Sequence, residues 1–115
     1  MVKVVELTVN KDLCYDIQRI RFQFENTKPD LVIVSHASNV IGLVAPVEEI
    51  FTLAKEFHSL TLLDMAQTAG LVDCDIGKDI FDFVVFAGHK TLLGPTGISG
   101  FVMKPTIDLE PVFFG

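Results

Sequence analysis

Three short apolar runs that each end on polar residues constrain this chain more than any other feature. Leu31-Val32-Ile33-Val34 leads into Ser35-His36, Leu60-Thr61-Leu62-Leu63 into Asp64, and Asp82-Phe83-Val84-Val85-Phe86-Ala87 into Gly88-His89-Lys90. A continuous apolar run of this length marks a strand covered on both faces, the habit of parallel sheets. Between the first two runs, Val47, Ile50, Phe51, Ala54 and Phe57 recur at helical spacing behind Pro46. Glu48 and Glu49 place negative charge at the positive end of that helix. Strand, helix, strand, strand defines an α/β fold, a mostly parallel sheet with flanking helices.

The flanks extend this frame. Residues 2–9 are rich in β-branched side chains and read as a further strand, stopped by Asn10-Lys11-Asp12. From Tyr15 to Asn26, the positions Ile17, Ile20, Arg21 and Phe24 predict a short helix, broken by Lys28-Pro29-Asp30. Gly94-Pro95-Thr96-Gly97 predicts a tight turn that leads the chain back past Lys90. Residues 98–103 then form a fourth strand, an antiparallel edge candidate.

At 115 residues, 50% of them hydrophobic, the chain is one domain or part of one. Fifteen acidic residues against nine basic ones give a net charge of −6, which repels nucleic acid and anionic membrane surfaces. No apolar run approaches the roughly 20 residues of a membrane helix. The N-terminus also lacks the apolar segment of a signal peptide, so a cytosolic location is expected. Cys14 and Cys74 stand apart and read as ordinary reduced thiols. His36, Cys74 and His89 have no recognised ligand spacing, so no metal site is expected. Gly88, Gly94, Gly97 and Gly100 form no nucleotide fingerprint, and no serine stands in a GxSxG elbow.

In open α/β sheets ligands sit beyond the carboxyl ends of the strands, where this chain gathers its polar residues. Lys90 is the candidate nucleophile, because a lysine desolvated in a pocket favours the neutral amine that condenses with an aldehyde. Asp64, at a strand end, could pair with a protonated pyridine nitrogen; a helix cap or a structural ion pair would also satisfy it. Gln67 and Asn39 could donate to a phenolate oxygen, or make an ordinary polar contact and hold a turn, respectively. His89 could donate to a phosphate or be a satisfied structural histidine. His36 and His58 have no partner nearby in sequence and receive no catalytic role.

Three ordered blocks carry a family resemblance. They are Ser35-His36-Ala37-Ser38-Asn39-Val40-Ile41-Gly42, Asp64-Met65-Ala66-Gln67-Thr68-Ala69-Gly70, and Gly88-His89-Lys90 followed by Gly94-Pro95-Thr96-Gly97. Over residues 31–104 the chain resembles fold-type-I pyridoxal-phosphate enzymes of the class V aminotransferase and cysteine desulfurase group. The resemblance implies pyridoxal 5'-phosphate as cofactor and Lys90 as the catalytic lysine that forms the internal aldimine and shuttles the substrate's α-proton. It implies Asp64 as partner of the pyridine nitrogen, and Asn39 and Gln67 near the phenolic oxygen. Ala66 would lie against one ring face, and His89 would contact the phosphate.

The implied reaction acts on a small amino acid, with desulfuration or selenocysteine-lyase chemistry ahead of transamination, in a homodimeric parent. The chain departs from the family at Ala87, where Ser or Thr often contacts phosphate. The segment Thr91-Leu92-Leu93 before Gly94-Pro95 resembles the less characterised desulfurase-like members more than the best known ones. Family members run to several hundred residues and add a C-terminal small domain. That domain carries the substrate-carboxylate arginine and, in desulfurases, the mobile cysteine, which neither Cys14 nor Cys74 matches. Residues 1–115 therefore read as a single partial domain, the core of an incomplete PLP-transferase large domain with exposed sheet edges. The alternative is a non-catalytic structural or interaction fragment that cannot hold the cofactor.

Overall fold

The computed structural model describes residues 1–110. Six elements follow in the order α1 (Ile17–Thr27), β1 (Leu31–Ser35), α2 (Val47–Glu56), β2 (Leu60–Asp64), β3 (Phe83–Ala87) and β4 (Ser99–Met103). The strands form one sheet in the order β1-β2-β3-β4. The pairs β1–β2 and β2–β3 are parallel, and β3–β4 is antiparallel. The mostly parallel α/β architecture expected from the apolar runs is the one found.

Local chemistry explains the helix limits. The Asp16 carboxylate accepts the N–H groups of Gln18 and Arg19 and so caps α1, a signal legible as an acid directly before a periodic apolar run. Lys28 ends the helix in the left-handed conformation, returning its N–H to the Phe24 carbonyl. In α2, Pro46 stands just before the first helical residue and Glu48 and Glu49 occupy the first turn. Val47, Ile50, Phe51, Leu53 and Ala54 are the buried side chains of α2. They pack on β1 and β2, and α1 adds Ile20 and Phe24 behind them, with Phe24 edge-on to Phe57 at 5.8 Å.

Two expectations are corrected. Residues 2–9 form no strand: Val9 makes one isolated bridge to Tyr15, and Val2 and Val4 stay exposed. β-Branched residues favour extended backbone, but a strand exists only where a neighbour supplies the ladder, and none reaches this segment. Nor are the apolar runs covered on both faces. In β1, Val32 and Val34 are buried under the helices, whereas Ile33, pointing the other way, is 59% exposed. Within residues 1–110 both helices lie on one side of the sheet, so the alternation inherent in a strand leaves the other face open.

The elements are joined at one end of the sheet by Asp82, which is 5% exposed. Its Oδ2 accepts the Thr61 N–H at 2.8 Å and an ion pair from Lys55 at the end of α2. Its Oδ1 faces Lys104 Nζ at 3.5 Å, and its carbonyl accepts the Lys104 N–H at 2.9 Å. The Thr61 hydroxyl accepts the Asp82 N–H and donates to the Ile80 carbonyl at 2.6 Å. Burial alone would push the Asp82 carboxyl up. The bonds from Lys55 and Thr61, with the Lys55 and Lys104 charges, outweigh burial and hold it below its ordinary value.

Replacing Asp82→Asn is expected to cost about 3 kcal/mol, because it leaves the Lys55 ammonium without its counter-charge in a largely dry site. Urea denaturation at pH 7 measures this loss. A carboxyl lowered on folding contributes fully above its unfolded value, near 3.8, and loses that contribution as pH falls through the folded value. The gap between wild type and variant should therefore close below about pH 4.

Candidate active site

Three loops leave the same end of the sheet because β1, β2 and β3 run in one direction. The ladder continues one residue past the strand ends: His36 N–H donates to the Asp64 carbonyl and Met65 N–H to the Val85 carbonyl, both at 2.8 Å. Each loop therefore departs from a rigid base. Asp64 Oδ1 accepts the Ala66 N–H at 2.8 Å, an Asx turn that swings the chain off the strand. Its Oδ2 lies 3.4 Å from Ser35 Oγ. Among the described residues no cationic side chain makes an ion pair with Asp64, so this half-buried carboxylate keeps acceptor capacity to spare.

Asp64 and Ala66 line an open depression of about 390 Å³ with Val85, Phe86, Ala87, Ser99, Gly100 and Phe101. The other sequence-predicted residues do not line it. Asn39 is exposed on the loop after β1, where Ser38 Oγ accepts the N–H groups of Val40 and Ile41. Gln67 is half-buried in the turn after Asp64, and His89 and Lys90 are exposed in the turn after β3. A second depression of about 400 Å³ lies beside α1, lined by Thr8, Gln18, Arg19, Phe22 and Gln23, and holds neither a carboxylate nor a nucleophile.

The Lys90 turn is closed internally. Leu93 N–H donates to the Lys90 carbonyl at 3.1 Å, and Gly94 N–H to the Gly88 carbonyl at 2.7 Å. The Thr91 hydroxyl donates to the Ala69 carbonyl at 2.5 Å, tying this turn to the loop that carries Asp64. Leu93 is held at φ +55, a left-handed conformation that strains a branched side chain by roughly 1–2 kcal/mol. A second turn follows, in which Ile98 N–H reaches the Pro95 carbonyl at 3.4 Å and Gly97 supplies φ +90. A positive φ at that third position is what a type II turn requires of glycine.

His36 does have a partner, contrary to its reading as an isolated histidine. It is 4% exposed, and its Nδ1 lies 2.9 Å from Thr68 Oγ1, across a sequence separation that hides the pair. Burial lowers its pKa, which favours the neutral ring. His36–Thr68 and Thr91–Ala69 thus bind the three loops into one body. Sequence reasoning missed Thr68, Thr91 and Ser99 because nothing local distinguishes them; the sheet register and the loop contacts bring them to the strand ends.

Comparison with known proteins places this geometry. The family model for aminotransferase class-V matches residues 1–115, and the chain belongs to that family. It is 39% identical over 87 residues to a probable cysteine desulfurase of Pyrococcus abyssi, covering 74% of this chain and 22% of the relative. Among solved structures, the apo cysteine desulfurase of Thermococcus onnurineus superposes with a TM-score of 0.78 at 30% identity, covering 86% of this chain and 24% of that one. A NifS-like protein of Rickettsia africae shares the fold at a TM-score of 0.83 and 22% identity, covering 95% and 31%. The chain thus spans a fifth to a third of the length of these proteins, as the sequence reading of a central part of a larger domain requires. No helix among the described residues is long and apolar enough to cross a membrane.

A methyl group at Gly94 would lie 2.8 Å from the Gly88 carbonyl oxygen, backbone that cannot move without opening the turn. Gly94→Ala should destabilise the fold by about 1–3 kcal/mol, read from the denaturation midpoint. Amide exchange at Leu93 and position 94 should accelerate with it.

Proposed function

We propose that this chain is the core of the large domain of a pyridoxal-phosphate-dependent enzyme that acts on an amino acid, with cysteine desulfurase or selenocysteine lyase chemistry. One observation carries the reading: a strand-end carboxylate, Asp64, without a cationic partner among the described residues, in a depression lined by Ala66, Ala87 and Gly100. An acceptor of this kind suits a protonated pyridine nitrogen, and the small side chains suit a flat ring, so the residues present fit the cofactor. The names of the relatives, cysteine desulfurases, favour desulfuration over transamination.

Pyridoxal phosphate, when bound, supplies an aldehyde and an electron sink. The chain's own residues bind and orient it. Asp64 holds the proton on the ring nitrogen, Ala66 leaves room for the ring face, and Gln67 and Asn39 donate to the phenolic oxygen. His89 meets the phosphate. Lys90 would supply the amine that holds the cofactor's aldehyde carbon and the group that carries the proton of the substrate's α-carbon. Thr91 and Thr68 hold the loops of Lys90 and Asp64 against their neighbours, which supports a reading in which the amine and the carboxylate serve one ligand. The parent enzyme is a cytosolic homodimer in this reading.

Incubation with pyridoxal phosphate, reduction with borohydride and peptide mapping tests the proposal. Label is expected on Lys90, and Lys90→Ala should abolish the visible absorption band of the loaded protein. Label spread evenly over all lysines, or an unchanged spectrum in Lys90→Ala, would sink it and favour a fragment that does not hold the cofactor.

A further inference from the structure

Resting on the reading of the depression as a pyridoxal-phosphate site, we propose that the Ser99 hydroxyl donates to the phosphate in place of the hydroxyl that Ala87 lacks. The register of β3 and β4 carries the argument. Gly88 N–H donates to the Ile98 carbonyl at 2.8 Å and Lys104 N–H to the Asp82 carbonyl at 2.9 Å. These bonds make 88 with 98, and 82 with 104, the hydrogen-bonded pairs of the ladder. Ala87 and Ser99, which are Cα partners, therefore form a non-hydrogen-bonded pair. In such pairs the Cα atoms approach to about 4.5 Å and the two side chains leave the same face close together. Both residues line the depression that Asp64 and Ala66 also line.

A hydroxyl missing from one strand is thus present on the next, one side chain away. No hydrogen bond among the described residues engages Ser99 Oγ. Three backbone donors nearby are engaged: the N–H groups of Gly88, Leu93 and Gly94 serve the Ile98, Lys90 and Gly88 carbonyls. Ser99 carries the one hydroxyl on the lining of the depression, free to donate to an anion there. Gly100 leaves room for the Phe86 ring, which any side chain at that position would meet.

The test compares ligands with and without the phosphate. Affinities for pyridoxal phosphate and for pyridoxal are measured by absorbance titration on wild type, Ser99→Ala and the double variant Ala87→Ser/Ser99→Ala. Ser99→Ala should weaken pyridoxal phosphate about tenfold or more, the value of one hydrogen bond to a charged group, and leave pyridoxal unchanged. The double variant should recover the affinity for pyridoxal phosphate. Equal weakening of both ligands, no weakening at all, or no recovery in the double variant would each overturn the proposal. Repeating the comparison by equilibrium dialysis in a Lys90→Ala background separates the two readings: failure of borohydride labelling at Lys90 of the wild-type chain removes the lysine's role, whereas the phosphate-dependent ratio measured without that lysine still reports on Ser99.

Discussion

Everything in this structure that positions the candidate site hangs on a buried carboxylate at the opposite end of the sheet. Asp82 stands where β3 begins, and its partners come from α2, β2 and the segment just past β4. A buried charge is tolerated only when its neighbours repay the lost hydration. Here two ammonium groups and a backbone N–H do so, and in doing so they set α2 on the sheet and fix the start of β3. Because a shift of one residue would turn every side chain of a strand to the other face, this anchor also decides which residues of β3 meet the depression.

The covered and open faces of the sheet divide the labour. Apolar side chains of α2 fill one face, and α1 backs them through Phe24 and Ile20. The open face carries Ile33, Phe83, Val85 and Phe101, with Phe83 and Phe101 stacked at 5.9 Å, and passes into polar residues only at the strand ends. The depression lies at that transition. Its surfaces run from the Asp64 carboxylate through Ala66 to the Ala87–Ser99 pair, the order in which the proposed cofactor would present its ring nitrogen, ring and phosphate.

Much of the fold was legible before any coordinates. The three apolar runs marked β1, β2 and β3 because each is too short for a helix and ends in turn residues; α2 was legible from its period, and β4 from the turn that precedes it. The N-terminal segment was misread, since β-branching speaks to backbone preference and not to the presence of a pairing partner. Coverage of both sheet faces was misread for a related reason: apolar runs record where burial is favoured, and not what supplies the cover. At the site, Asp64 and Ala66 were legible as residues at the carboxyl end of a strand, and both line the depression there. The Thr91–Ala69 and His36–Thr68 contacts were not, because each joins residues more than twenty positions apart through groups common on any loop.

The sequence by itself determined the family, the order of the strands and helices and the chemical types available at the strand ends, because these follow from local periodicity and from blocks of adjacent residues. Only the tertiary structure decided which of those groups meet. Asp82 finding Lys55, Thr91 reaching Ala69 and Ser99 standing beside Ala87 all depend on the register between strands, and register is a property of hydrogen bonds and packing between distant segments.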